Sequence, residues 1–217
     1  MSLHEENKAE RKSRIVAAAR RLIAEHGFDG LNMRALADAA RVSVPTLYNL
    51  FGSKHAILAA EMQEAFRNVA GALDLKKRGD AVERAGALLQ AGIKNLVSVP
   101  GYYRELVHVM LSSRDPDDLR RAIEDQYVAL MAGNLRAGQA DGELADWFDA
   151  DVLSRQMFFT FMMVVLGWAR GEIDDTGLQD VAAYGQCMLL IGVARGETHA
   201  RLLERVRRLQ GRIKRRR

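Results

Sequence analysis

The stretch Asn32–Lys54, NMRALADAARVSVPTLYNLFGSK, decides the fold. Its middle reads as two short helices joined by a tight turn. Asn32 is placed to cap the first helix, because its side-chain oxygen can accept from an orphan N–H one turn in. Met33, Leu36, Ala37 and Ala40 then recur at helical spacing. The small Ala37, Ala39 and Ala40 let a second helix approach closely, and Val42 closes the turn as an apolar plug. Ser43 is the next N-cap, with Pro45 in the first turn, where a missing N–H costs nothing. Thr46–Phe51 follows, with Leu47, Leu50 and Phe51 on one side. This is the pattern of a helix-turn-helix, whose second helix enters the DNA major groove. Two short helices with an apolar seam also occur in all-α domains that never touch DNA, so the flanking sequence has to decide.

Those flanks extend the pattern. Arg14-Ile15, Ala18-Ala19, Leu22, Gly27-Phe28, Leu31, Arg34, Leu36-Ala37, Ala40, Val42-Ser43, Thr46-Leu47-Tyr48, Phe51, Lys54 and Leu58 stand at a specific spacing. With these residues the stretch 14–58 resembles the DNA-binding domain of the TetR family of one-component transcriptional regulators. Pro45, Leu50 and His55 depart from the residues commonest there. The resemblance implies double-stranded operator DNA as partner. It implies that Arg34 and residues 44–50 (Val44, Pro45, Thr46, Tyr48, Asn49 and Leu50 among them) face the groove beside the capping Ser43, while Tyr48 and Lys54 hold phosphates. It also implies a homodimer, formed through a four-helix bundle of the last two long helices, and a small effector bound in the body of the chain.

Composition sets the outer limits. The 217 residues are 48% hydrophobic, enough for a substantial core, and the three prolines (Pro45, Pro100, Pro116) leave long periodic segments intact. Those segments are helical in period and none alternates convincingly as a strand, so the expected class is all-α. One cysteine, Cys187, excludes an intrachain disulfide and a cysteine-based metal cluster. The charged N-terminus MSLHEENKAERKSR lacks the apolar run of a secretory signal, which gives a cytoplasmic expectation. Residues 1–60 hold 9 basic and 6 acidic side chains, residues 61–200 hold 14 and 21, and residues 201–217 hold 9 and 1. A basic head and a basic tail therefore flank an acidic body, which suits phosphate contact by the head and argues against nucleic acid on the whole surface.

In chain order, residues 8–26 read as a first helix closed by Gly27, with Lys8, Arg11, Lys12 and Arg14 crowding its start, where they oppose the helix dipole. Residues 54–73 form a longer helix, followed by the polar break 76–80. The expected division is a helix-turn-helix domain over 8–55 and a ligand-binding and dimerisation domain over 56–217. Asp115-Pro116-Asp117-Asp118 is a strong helix start. Residues 157–169, MFFTFMMVVLGWA, and residues 181–194 are apolar on every side, and such helices must be covered on every side. The first run, 13 residues, falls short of the roughly 20 a bilayer needs, so it reads as core plus subunit interface rather than membrane. The final segment, 198–217, carries Leu202, Val206, Leu209 and Ile213 spaced four, three, four. That is a narrow seam for docking on the body, with the basic residues facing acids such as Asp141, Glu143, Asp146, Asp149 and Asp151, or solvent.

No nucleophile elbow, dinucleotide fingerprint, P-loop or zinc-protease motif is present, and the five histidines lack metal-ligand spacing, which points to neither enzyme nor cofactor. Met and aromatic residues are concentrated in the body. Most must be core, but ligand pockets draw on the same residue types. Tyr103, His108, Met110, Tyr127, Met131, Phe159 and Met163 are the pocket candidates, and a small apolar or amphipathic effector is the expected ligand. The resulting reading is a homodimeric repressor released from its operator by that effector. The rival reading is a helical binding module or chaperone acting on proteins or membrane surfaces.

Overall fold

The computed structural model of the chain describes residues 3–72, 79–112 and 117–216. Among the described residues there are ten helices and no strand, only an isolated antiparallel bridge between Leu144 and Ala194. The helices are α1 (Leu3–Gly30), α2 (Met33–Ala40), α3 (Val44–Phe51), α4 (Lys54–Ala72), α5 (Ala81–Ser98), α6 (Pro100–Ser112), α7 (Asp117–Ala140), α8 (Ala150–Ala169), α9 (Asp175–Ile191) and α10 (Gly196–Lys214). The chain is all-α. It divides into two compact units, Met1–Ala65 with Val99–Ile123, and Phe66–Ser98 with Glu124–Arg217. Lys76–Arg78 of the expected polar break, and Asp115-Pro116 of the expected helix start, lie outside the described residues.

In the first unit α1 begins at Leu3, ahead of the expected Lys8, and puts Glu5 and Glu6 in its first turn, where the positive dipole end favours them. Lys8, Arg11, Lys12 and Arg14 thus sit beyond that turn and do not oppose the dipole. Gly27 breaks the helix at φ 71°, a backbone state open to glycine at little cost, and a further turn runs on to Gly30. The buried stripe Ile15, Ala18, Ala19 and Ile23 packs on α2 and α6. From α6 come Tyr102 and Tyr103, both fully buried, with Leu106 and Val107. An ionic network lies among them. Glu61 of α4, almost fully buried, accepts from the Tyr102 hydroxyl at 2.8 Å and pairs with Arg20 at 2.9 Å. The Arg20 guanidinium lies over both tyrosine rings, 5.5 and 5.2 Å from their centroids, and hydrogen-bonds the Tyr103 hydroxyl. Burial raises the Glu61 pKa, and the Arg20 charge opposes that rise.

In the second unit α9 packs against α5, α8 and α10. Asp174 caps it by accepting from Gly177 N, which starts the helix at Asp175, six residues before the expected Val181. Asp149 caps α8 through the N–H groups of Asp151 and Val152. This helix is not covered on all sides. Ala150, Ser154, Met157, Phe158, Val165 and Trp168 are buried, whereas Val152, Phe159 and Met163 are exposed. At 20 residues α8 is long and apolar enough to cross a bilayer, unlike the 13-residue run counted in the sequence. Its polar ties are those of a helix in a helical bundle: Arg155 to Glu124 at 2.7 Å, and Trp168 Nε1 to Asp175 at 2.7 Å. Cys187 is buried, and burial pushes its thiol pKa up, so it packs as a small hydrophobe.

Helix α10 docks on α9 of its own chain. Leu202, Val206 and Leu209 are buried and Ile213 half-buried, so the seam faces the unit. Each fully buried aliphatic side chain contributes about 1.5–3 kcal/mol. Its arginines reach Asp80 (from Arg201), Asp180 (from Arg212 at 2.9 Å) and Asp174 (from Arg216 at 3.8 Å). None of the acids expected to face this segment pairs with it among the described residues: Asp146 pairs with Arg195, which precedes the helix, Glu143 with Arg84 and Asp151 with Arg136, and Asp149 caps α8. The partners are instead the caps of α5 and α9, Asp80 and Asp174, and Asp180 within α9, because a helix lying along α9 passes them.

Candidate nucleic-acid interface and apolar core

The helix-turn-helix is assembled by local capping. Asn32 Oδ1 accepts from Ala35 N at 2.7 Å and starts α2. Arg41 takes a left-handed conformation (φ 53°, ψ 50°), and Val42 N returns to the Ala37 carbonyl at 2.9 Å, which closes the turn. Ser43 then caps α3, its Oγ accepting from Thr46 N at 3.3 Å and lying 2.7 Å from Thr46 Oγ1. Leu36, Ala40 and Leu47 are completely buried, with α2 packed on α1 and α3 on α2. With Leu47 inward, the opposite side of α3 faces out: Ser43, Pro45, Tyr48 and Asn49 are exposed, and Val44, Thr46 and Leu50 are half-buried. Tyr48 is 52% exposed, unusual for an aromatic with no ring partner among the described residues. Arg34, on α2, is exposed and makes no hydrogen bond among the described residues.

Lys54 is placed differently. Its Nζ donates to the carbonyls of Leu31 at 2.6 Å and Phe28 at 3.3 Å, and lies 4.8 Å from the Phe28 ring centroid. Two of its three N–H donors thus tie the start of α4 to the end of α1, and one is left for anything outside. His55 packs beside it, 5.1 Å from the same ring. Two basic residues of α1 are also structural: Arg14 Nε donates to the Ala40 carbonyl at 2.9 Å, and Lys12 lies over the Phe51 ring at 5.6 Å. Sequence reasoning missed these roles. Their signal was weak, a cation one helix away from an apolar C-terminus.

The seven pocket candidates are divided between the two units. Tyr103 and Met110 are buried in the first unit, and His108 is exposed there. Met131 is buried in the second unit, and Tyr127 lies against Phe158 at 5.6 Å and nearly parallel to Phe161 at 6.5 Å. Burial alone pushes the Tyr127 hydroxyl pKa well up. Phe159 and Met163 point outward from α8, 43% and 66% exposed. The sequence did not single out Phe158, Phe161 or Ser154, which share a stripe of α8. Ser154 Oγ is buried without a hydrogen-bond partner among the described residues. A buried orphan hydroxyl is costly, and a ligand's polar group is one way to satisfy it. No cluster of three potential metal ligands occurs among the described residues.

Three comparisons bear on this arrangement. Residues 15–60 match the family described as bacterial regulatory proteins, tetR family. An uncharacterized HTH-type transcriptional regulator of Mycobacterium tuberculosis is 28% identical over 148 residues, covering 66% of this chain and 70% of the relative. The HTH-type transcriptional repressor KstR of the same species is 29% identical over 140 residues, covering 60% and 62%. In structure the chain is similar to Thermus thermophilus FadR, a TetR-family repressor in complex with lauroyl-CoA, at a TM-score of 0.63 and 23% identity, over 86% of this chain and 96% of that one. The capped α2–turn–α3 lies inside residues 15–60, which match the tetR family of bacterial regulatory proteins, and the fold of the chain is similar to that of the solved regulator.

Proposed function

We propose that the protein is a homodimeric repressor that binds double-stranded operator DNA in the cytoplasm and leaves it when a small apolar or amphipathic effector binds. The observation that carries this reading is the outward face of α3, an exposed Pro45, Tyr48 and Asn49, with Arg34 exposed in the first turn of α2, on two helices whose opposite faces are completely buried. Phosphate contacts position such a helix and base contacts specify the sequence. Arg34 and residues 44–50 are assigned to the groove, Tyr48 to phosphate, and Lys54 to holding the α1–α4 corner with one donor toward phosphate. Functionally the division falls near residue 55, with residues 8–55 reading DNA and 56–217 binding effector and dimerising.

The effector is assigned to the aromatic cluster of Tyr127, Phe158 and Phe161 with Met131, which offers apolar walls and the unsatisfied Ser154 hydroxyl. The relatives' names support this: KstR is a repressor, and FadR was solved with lauroyl-CoA. Effector binding acts by population shift, favouring a head spacing that no longer matches the operator. The role is binding, not catalysis. Selection of bound sequences from a random DNA pool tests the reading. An inverted repeat with half-sites about one helical turn or a multiple apart is the expected product. Recovery of no sequence by a dimeric, folded protein would overturn it.

A further inference from the structure

Helix α10 carries a row of five arginines, of which its docking uses two, Arg201 and Arg212. Arg201, Arg205, Arg208, Arg212 and Arg215 are spaced four, three, four and three residues, so they share one side of the helix, next to the buried seam. All five line a groove of about 780 Å³ between α10 and the first turn of α5. Counting Arg207, the groove holds six guanidinium groups against two carboxylates, Asp80 and Glu83. Asp80 is already committed: it accepts from Glu83 N at 2.9 Å, from Thr198 Oγ1 at 3.0 Å and from Arg201. Arg212 is held by Asp180. Arg205, Arg208 and Arg215 make no ion pair or hydrogen bond among the described residues.

This arrangement opposes the stability of the helix that carries it. Like charges three and four residues apart repel by roughly 0.2–0.5 kcal/mol a pair in the absence of an anion. Only cations in the last turn are favoured by the dipole, and Arg201, Arg205 and Arg208 lie before it. The seam, with Arg201, Arg212 and Arg216, accounts for docking without Arg205, Arg208 or Arg215. Guanidinium groups in a file are suited to phosphate oxygens, which they grip two at a time. The row extends about 21 Å, fourteen residues at about 1.5 Å each. Val82, Leu202 and Leu209 lie at the floor of the groove but are nearly fully buried, so the guanidinium groups form its accessible wall. A groove of this size falls within the range of small-molecule sites.

We propose that this groove is a binding site for a nucleotide-sized molecule carrying two or more phosphates, its phosphates on the arginine row. It shares no residue with the aromatic cluster assigned to the apolar effector, so the two assignments stand or fall separately.

Calorimetric titration of the full chain with ATP, tripolyphosphate and adenosine at low salt, about 50 mM, tests it. ATP and tripolyphosphate should both bind, and adenosine should give no heat. The double variant Arg208→Gln/Arg215→Gln should lose about tenfold or more in affinity for both, from two lost charge-assisted contacts. Its melting temperature should not fall, because neither side chain holds the fold together. A control, Lys214→Gln/Arg170→Gln, removes the same charge from exposed positions outside the groove and should change affinity by less than about twofold, as expected of screened surface charges. Equal losses in the two double variants would mean diffuse attraction and no site. Absence of binding by both ATP and tripolyphosphate would overturn the proposal. So would a shallower salt dependence of operator binding in Arg208→Gln/Arg215→Gln without ATP binding by the wild type, which would place the row on DNA.

Discussion

Among single residues, Arg34 and Lys54 make the clearest contrast. Both are basic residues of the DNA-binding head, but Arg34 is exposed with no hydrogen bond among the described residues, whereas Lys54 is held by two carbonyls and an aromatic ring. Arg34→Ala should therefore leave thermal stability unchanged. It should cost roughly 1–3 kcal/mol of operator affinity and relax the preference at one base position, if the guanidinium grips a guanine edge. Equal affinity loss across operator variants would make it a phosphate clamp. Lys54→Ala should behave in the opposite way. Loss of a charged donor to buried-side carbonyls should destabilise the fold by about 1–3 kcal/mol, measured by denaturant unfolding. Its affinity loss should be similar for every DNA sequence. An unchanged midpoint would show that the corner holds without it.

At the scale of elements, the junction of α5 with α10 carries a pH dependence. The Asp80 carboxylate caps α5 and holds Thr198 and Arg201 of α10. Burial acts to raise its pKa, but the hydrogen bonds from Glu83 N, Arg201 and Thr198 outweigh burial and hold it below the ordinary 3.8. The unfolded carboxyl protonates near 3.8 and the folded one lower, so between those values the unfolded chain binds more protons. The contribution is thus complete above about pH 4 and is lost as pH falls through the folded value. Asp80→Asn should lower stability by about 1–3 kcal/mol at neutral pH, as one buried hydrogen-bonding carboxylate is lost. Its stability should fall less steeply than that of the wild type between roughly pH 4 and 2. Parallel acid unfolding curves would remove Asp80 from the account.

At the scale of the whole molecule, the exposed apolar face of α8 needs a cover. Val152, Phe159 and Met163 project from it, 67%, 43% and 66% exposed, and Met188 of α9 is 46% exposed. A face of this kind marks an interaction surface, and a second copy through α8 and α9 is the assigned cover. Met163→Glu should shift the protein from about 48 kDa toward the 24.2 kDa chain mass in sedimentation, with helicity retained, because the new carboxylate is buried only in the dimer. Val165 would be a poor choice for this test. It is 2% exposed within the single chain, so Val165→Glu would disturb folding itself. A Met163→Glu protein that remained wholly dimeric would move the interface elsewhere.

The sequence by itself determined what depends on neighbours along the chain. Asn32 and Ser43 cap the helices they were expected to cap, and the spacing of Leu36, Ala40 and Leu47 placed the head's core. The seam Leu202, Val206 and Leu209 was readable as a docking face, because period and capping act within a few residues. Tertiary structure decided which charges find partners and which apolar surfaces remain uncovered. Lys54 meets carbonyls 23 and 26 residues away, Arg201 meets an aspartate 121 residues away, and Tyr103 meets Arg20 of α1 83 residues away. A periodic pattern states that a helix has an apolar face but not which helix will cover it. That choice belongs to packing between elements distant in sequence, where shape and burial act and local propensity has no influence.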